Sequence, residues 1–285
     1  MTQHTGSLYV VATPIGNLED MTARAARVLA EVDLIAAEDT RHSAKLLQHF
    51  GITTRLLAVH EHSERKLLAQ LLEHLNRGKS LALISDAGTP LVSDPGYRLV
   101  QAAHREGIRI VPVPGACAAI AALSAAGLPS DRFAFEGFPP ARTGARRAFF
   151  EGLCTEPRTL VFYETPHRIL ESLADMAVVF GSEREAVLAR ELTKQFETIR
   201  AATLSEHCAR LERDDNERRG EFVIVLHGAP PGEAGAAGAV DAAAERVLRI
   251  LLDELPVKQA AALAARITGV KKNDLYQFAL DMQRG

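Results

Sequence analysis

LALISDAGTP (residues 81–90) runs from four apolar residues almost directly into a carboxylate, a glycine and a proline. The apolar run suits a strand buried on both faces, and Gly88 and Pro90 suit a turn. Asp86 asks for more, because open α/β sheets hold their ligands at strand ends. A second stretch has the same grammar: LYVVA (8–12) leads into TPIGN (13–17). By spacing alone, both fit ordinary strand-to-helix turns. The alternative, which spacing alone favours less, is a pocket in which small residues let backbone N–H groups approach a nucleotide-type ligand.

Outward from these two stretches, strand-like and helix-like segments alternate. DLIAAE (33–38) and RIVPVP (109–114) are further short apolar runs. Between them, leucines 67, 68, 71, 72 and 75 share one helical face, and Gly78 ends the run. DPGYRLVQAAHREG (94–107) predicts a helix with Asp94 as N-cap, Pro95 at its first position and Gly107 as its stop. Such alternation argues for a parallel or mixed sheet with helices on both faces. The second half is looser. FAFEGF (133–138), RTLVFYE (158–164), AVLARE (186–191) and EFVIVL (221–226) are strand candidates with fewer clean helices between them, which suggests a second α/β domain with more antiparallel pairing. The expected organisation is an N-terminal α/β domain over 1–115, a second over 116–228, a Gly/Ala/Pro linker over 229–239 and a helical extension over 240–285.

The bulk numbers bound the function. The chain has 285 residues, 47% of them hydrophobic, enough for more than one core. Its formal net charge is −3, so any nucleic-acid contact is expected as a local basic strip rather than a basic face. Three widely spaced cysteines (Cys117, Cys154, Cys208) form no CxxC pair, which fits a reduced cytoplasmic protein. LYVVA is too short for a signal core, and the Ala-rich stretch 116–128 is too short to span a bilayer, so no membrane association is expected.

Other segments carry possible chemistry. Neither loop is G-x-G-x-x-G and there is no GxxxxGK[ST], which disfavours a dinucleotide fold or a P-loop. PGACAAIAAL (114–123) opens a helix of very small side chains, matched equally by a ligand at the helix N-terminus and by tight helix–sheet packing. YETPHR (163–168) predicts Thr165 as N-cap, Pro166 next and His167 in the first helical turn, with Glu164 ending a strand as Asp86 follows one. Glu38, Asp39, Arg41 and His42 crowd AEDTRHSAKLL (37–47), and His60, Glu61 and His62 follow; H-E-H is not the HExxH pattern, and no metal is expected. Arg142, Arg146 and Arg147 gather in what reads as a Gly/Pro-containing loop suited to a phosphate backbone, or simply a solvated one. In VKQAAALAARITGVKKNDLYQFAL (257–280), two apolar-faced helices flank TGVKK, as in a helix-turn-helix or a plain packing hairpin.

Taken together and in order, LYVVATPIGNLEDMTARA, AEDTRHSAKLL, ALISDAGTPLVSDPGYRLV, FYETPHRILESL, RELTKQFE and GEFVIVL resemble the blocks of the ribosomal RNA small-subunit methyltransferase I family, within the tetrapyrrole methylase superfamily. The resemblance runs from residue 8 to about 226 and extends into the helical tail. It implies two α/β domains with S-adenosylmethionine in the cleft between them, a homodimer, and 2′-O-methylation of a cytidine in 16S rRNA. It also implies a cofactor wall of Pro14, Ile15, Asp86, Gly88 and Thr89 from the first domain, Cys117 and Ala118 at the junction, and Tyr163 and Leu192 from the second. Removal of the hydroxyl proton calls for a base. Asp39, His42 and His60 are candidates, and the Glu164–His167 pair is favoured because its turn ends a strand beside the expected pocket. Arg41, Arg142, Arg146, Arg147 and Lys272 are the expected RNA contacts. A tetrapyrrole or protein methylase of the same superfamily, or a non-catalytic ribosome-assembly factor, are the other readings.

Overall fold

The short apolar runs of the first half form one parallel sheet. In the computed structural model, which describes residues 6–59, 61–230 and 242–282, its strands are β1 (Ser7–Val11), β2 (Leu34–Ala37), β3 (Leu56–Ala58), β4 (Leu81–Ile84) and β5 (Arg109–Val113), in the order β3-β2-β4-β1-β5. Leu8 lies opposite Leu81 on one side and Ile110 on the other. Side chains still alternate within these uninterrupted apolar strands. Ile35 and Ala37 pack with Ala25 and Leu29 of α1 (Ala23–Glu31) and Leu47 of α2 (Thr40–His49). Leu34 and Ala36 point the other way, to Leu71 and Leu75 of α3 (Glu61–Asn76) and Leu99 of α4 (Tyr97–Arg105). Both faces are covered, as a parallel sheet requires.

One expected helix start moves. Asp94 does not cap α4; Gly96 does, with φ 121°, and the helix begins at Tyr97. The chain passes so close over β4 that a Cβ at Gly96 would lie 2.5 Å from Leu83 Cδ2. That crossing delays the helix and frees the Asp94 carboxylate for another use.

The second sheet contains β6 (Phe133–Gly137), β7 (Thr159–Glu164), β8 (Glu185–Arg190), β9 (Thr198–Thr203) and β10 (Phe222–Leu226), in the order β6-β7-β10-β8-β9. Only β6 and β7 run parallel; the other pairings are antiparallel. The Ala-rich α5 (Ala118–Ala126) packs Ala119, Ala122 and Leu123 on Val161, Val187 and Val223. On the opposite face, α6 (Thr143–Glu151), α7 (Ile169–Phe180) and α8 (Leu204–Arg213) bury Phe150, Leu173 and Leu211 with Phe162 and Ile224.

Two more expectations are corrected here. Residues 143–147 are helical, not loop, with Arg142 as the N-cap of α6. At YETPHR, α7 starts at Ile169 with Arg168 as its cap, and Pro166–Arg168 form a turn. Thr165 still launches the helix, through its carbonyl, which accepts from Arg168 N–H (3.1 Å) and Ile169 N–H (3.0 Å).

Both sheets belong to one compact unit; residues 155–157 and the chain from 228 onward group as a second. In the latter, α9 (Ala242–Glu254), α10 (Val257–Thr268) and α11 (Lys272–Met282) share a core of Ala244, Leu248, Ala260, Ala264, Leu275 and Ala279. Gly269 closes α10 in the left-handed conformation (φ 76°). Most of the expected linker, residues 231–239, lies outside the described residues. Among those described, no helix is long and apolar enough to cross a membrane.

Candidate active site

The two stretches that open the sequence reading are paired with one another. Thr13 N–H donates to Gly88 O (2.9 Å) and Gly88 N–H to Thr13 O (3.0 Å), joining the exits of β1 and β4. Asp86 Oδ1 accepts from Asp39 N–H (2.9 Å), which ties in the exit of β2. Thr89 Oγ1 donates to Ala116 O (2.9 Å), which ties in the segment after β5. Gly88 has φ +83°, and a Cβ there would press on Ile15 Cγ2 at 3.3 Å. Four strand ends are thereby laced into one floor at the carboxyl edge of the sheet.

Over this floor opens a cavity of about 520 Å³ whose walls come from both sheets. Eight of the nine residues expected at a cofactor line it: Ile15, Asp86, Gly88 and Thr89, then Cys117 and Ala118 at the start of α5, then Tyr163 and Leu192. Pro14, the ninth, is buried and outside the wall. Cys117 caps α5 without a side-chain hydrogen bond, and Tyr163 Oη accepts from Ala119 N–H (3.1 Å), fixing the ring against the helix start. Burial, and then Cys117 beside it, push the Tyr163 hydroxyl well above its usual range, so it stays protonated.

Two loops hold backbone in a costly conformation at this cavity. Leu91 (φ 72°) and Ser93 (φ 66°) flank Val92; Glu191 (φ 51°) and Thr193 (φ 65°) flank Leu192. Val92 and Leu192 both line the cavity. Left-handed φ at non-glycine residues costs about 1–3 kcal/mol each and clusters at functional sites. The second loop is held by Lys194 Nζ, which donates to Glu191 (2.8 Å) and Glu221 (3.0 Å).

Five acidic residues line the cavity: Glu38, Asp86, Asp94, Glu164 and Glu221. Desolvation, then the charges of Asp94 and Asp86, raise the Glu38 carboxyl above its ordinary value. Desolvation raises Asp94 too, a hydrogen bond from Ser85 opposing it and Asp86 adding to it. The sequence pointed to neither Glu38 nor Asp94 as a candidate base. Asp94 was read as a helix cap, and Glu38 was one acid in a crowd, although it follows β2 as Asp86 follows β4. No group of three His, Cys, Asp or Glu among the described residues is arranged to hold a metal.

Glu164 and His167 both line the cavity, but the Glu164 carboxylate is engaged elsewhere. Tyr163 faces the cavity, so its strand neighbour Glu164 faces α7. There Oε1 accepts from Thr165 N–H (2.7 Å) and the Arg168 guanidinium (2.8 Å), and Oε2 accepts from Ser172 Oγ. Glu164 is therefore corrected from base to structural anchor: both oxygens are engaged and the side chain is buried. His167 is exposed at the cavity's edge. Asp39 caps α2 and pairs with Arg41, whose hydrogen bonds hold its carboxyl down at about 2. His42 is exposed, and His60 lies outside the described residues.

Among the expected RNA contacts, Arg146 is also corrected. Its side chain is 1% exposed and ion-paired to Asp175 (2.6 Å), with Nη1 donating to Ala141 O. A guanidinium enclosed in this way has no face left for a phosphate. Arg147 shares Asp175 (2.6 Å) but is half exposed. Arg142 and Lys272 are exposed, and Arg41 is 90% exposed beside Asp39.

Comparison with known proteins adds kinship to this geometry. The profile of the Tetrapyrrole (Corrin/Porphyrin) Methylases matches residues 7–208. That of the RsmI C-terminal HTH domain matches residues 238–283. The chain is 61% identical to ribosomal RNA small subunit methyltransferase I of Pseudomonas aeruginosa over 98% of both chains. It is 55% identical to the protein of the same name from Escherichia coli O157:H7, over 98% of this chain and 96% of that one. Among solved structures, uroporphyrin-III-C-methyltransferase from Thermus thermophilus (TM-score 0.55, 24% identity, 78% of this chain and 94% of that one) shares the fold. So does diphthine synthase (TM-score 0.58, 17% identity, 78% of this chain and 90% of that one).

Proposed function

Since the chain belongs to the tetrapyrrole methylases, and within them to the ribosomal RNA small subunit methyltransferase I family, we propose that it transfers a methyl group from S-adenosylmethionine to the 2′-hydroxyl of a cytidine ribose in 16S rRNA of the small subunit. The observation that carries this reading is the cavity itself, floored by the Thr13–Gly88 pairing and walled by residues of both sheets. Within it, residues 1–115 and 116–228 act as two lobes on one ligand.

The residues present fit a nucleoside bearing a cationic arm. Gly88 leaves room where a Cβ would intrude on Ile15. Ile15, Ala118 and Leu192 offer apolar surface, and Asp86 and Thr89 offer oxygen acceptors for hydroxyls or positive charge. The bound cofactor supplies an activated methyl on a sulfonium. The protein's own contribution is chiefly positional, since well-oriented reactants reach effective molarities on the order of 10⁵–10⁸ M. The loops bent about Val92 and Leu192 contribute those two side chains to the cavity's lining.

A 2′-hydroxyl is reached where RNA is looped or splayed, and such targets are recognised by shape and phosphate contacts. Arg41, Arg142, Arg147 and Lys272 are the contacts offered for the RNA backbone. A homodimer working in the cytoplasm is part of the same reading.

The test uses small ribosomal subunits from a strain lacking this protein, incubated with the full chain and methyl-labelled S-adenosylmethionine. One ribose-methylated cytidine in 16S rRNA is expected. Label on a base, on protein, or nowhere overturns the assignment; label on a tetrapyrrole supplied in parallel selects the other superfamily chemistry.

A further inference from the structure

Phe138 is 50% exposed, yet it lines the cavity and meets Tyr163 edge-on, with ring centroids 5.5 Å apart. Packing does not account for it: an aromatic ring left half in water contributes little to a core. Its placement is built. The β6–β7 register slips between Phe135 and Gly137, and Gly137 takes φ +65°. Such an irregularity re-aims the next side chain, a device found beside active sites.

The surroundings of Phe138 form a continuous rim. Gly137 lies against Ser93, to whose Oγ a Cβ would come within 3.3 Å. Ser93 adjoins Asp94, and Asp94 and Glu38 line the same cavity. On the other side of Phe138 stand Tyr163 and the Pro166–His167 turn. Ile15, Gly88, Thr89, Ala118 and Leu192 line the same cavity and are already assigned to the cofactor. The rim from Glu38 to Phe138 is left over, with a half-buried carboxylate at one end and an exposed ring at the other.

We propose that this rim is the subsite for the acceptor nucleoside, with Phe138 stacking its base and Glu38 taking the proton from its ribose hydroxyl. The inference rests on the RNA-methylating reading above and deepens it. Unstacked bases of loops and bulges are held on aromatic faces in RNA recognition. Glu164 is engaged by Ser172 and Arg168, Glu221 by Lys194 and Asp94 by Ser85, so the role at this rim is given to Glu38. In the transfer, the hydroxyl oxygen forms its new bond to the methyl carbon as the S–C bond breaks. The electron pair of that bond goes to sulfur, leaving a neutral thioether, and the hydroxyl proton goes to the Glu38 carboxylate. No further reactant is needed.

The experiment compares wild type with Phe138→Ala, Phe138→Tyr and Glu38→Gln. S-adenosylmethionine binding is measured by calorimetry, and steady-state kinetics use unmethylated small subunits. Phe138→Ala is expected to raise KM for the subunits roughly ten- to a hundredfold, as loss of one base–aromatic stack does, with cofactor affinity unchanged. Phe138→Tyr restores KM. Glu38→Gln is expected to lower kcat roughly 10²–10⁴-fold while leaving cofactor affinity intact. An unchanged KM in Phe138→Ala, a loss of cofactor binding in it, or a normal kcat in Glu38→Gln overturns the subsite. If wild type itself labels no RNA, the underlying reading fails, a result distinct from active wild type with silent variants. Exposure of Phe138 keeps its variants folded, which circular dichroism checks.

Discussion

Thr13 and Gly88 exchange both of their backbone hydrogen bonds, at 2.9 and 3.0 Å, so the loops after β1 and β4 move as one piece. The pairing needs Gly88 at φ +83°, where a side chain costs about 1–2 kcal/mol and would also push on Ile15. Gly88→Ala should therefore weaken S-adenosylmethionine binding about tenfold, with a fall in Tm of roughly 2–8 °C. Calorimetry on the folded variant checks it; unchanged affinity would remove this floor from the cofactor site.

Asp175 is the hub of a second relationship. It accepts from Arg146 Nε (2.7 Å) and Arg147 Nε (2.6 Å), and it is 4% exposed. Removing one partner of a buried pair leaves the other uncompensated, at a cost of about 3–5 kcal/mol. Arg146→Ala should lower Tm by roughly 6–20 °C. Arg147→Ala, which leaves the buried pair intact, should lower it much less. Thermal melts of the two variants decide whether the arginines at 146 and 147 have the separate roles their burial gives them.

The alternation of apolar runs was enough for the parallel sheet, because strands buried on both faces are written in uninterrupted Leu, Ile and Ala. It did not reveal β3 or β9. LLA (56–58) is three residues long, and TIRAAT (198–203) is an edge strand with half its side chains in water. That eight residues scattered from Ile15 to Leu192 line one cavity was legible through resemblance, since short loops carry motif and geometry together. The engagement of Glu164 was not. Whether Glu164 faces a cavity or a helix depends on strand parity and on Ser172, eight residues away. Arg146 and Arg147 look alike in sequence, and one step along α6 separates a buried cation from a half-exposed one.

Glu164 supplies a third prediction. Glu164→Gln weakens the Arg168 ion pair and the Ser172 contact and should lower Tm. Single-turnover methylation measured below that Tm, with cofactor saturating, should stay near wild type, whereas loss of a true base costs about 10²–10⁴-fold. A drop of that size would return Glu164 to the chemistry.

Glu38 links pH to stability with a definite sign. Its carboxyl is raised in the folded state by desolvation, Asp94 and Asp86, with a smaller push from Asp39. The folded protein thus holds this proton more tightly than the unfolded chain. Stability falls as pH rises through the window from the ordinary value of 4.5 upward. Glu38→Gln removes that penalty, so the variant should melt higher than wild type at pH 7, the gap closing below pH 4.5. A lower melting point for the variant at pH 7 would contradict the electrostatics drawn here.

The exposed arginines are separable from the buried one by salt. Each phosphate neutralised by a cation adds about 0.7–0.9 to the slope of log affinity against log salt. Arg142 caps α6 and is exposed, so Arg142→Ala should weaken binding to unmethylated small subunits and flatten that slope by about one contact's worth. Arg41 is exposed too, but Asp39 holds it at 3.0 Å, so its removal also liberates a carboxylate and should weaken binding more than a simple loss of charge. Arg146→Ala, assayed below its melting point, should leave the slope unchanged, because its charge is already matched by Asp175 away from solvent. Binding titrations at several salt concentrations give all three slopes. If Arg146→Ala flattens the slope as Arg142→Ala does, α6 must open in the complex and expose its buried guanidinium to RNA.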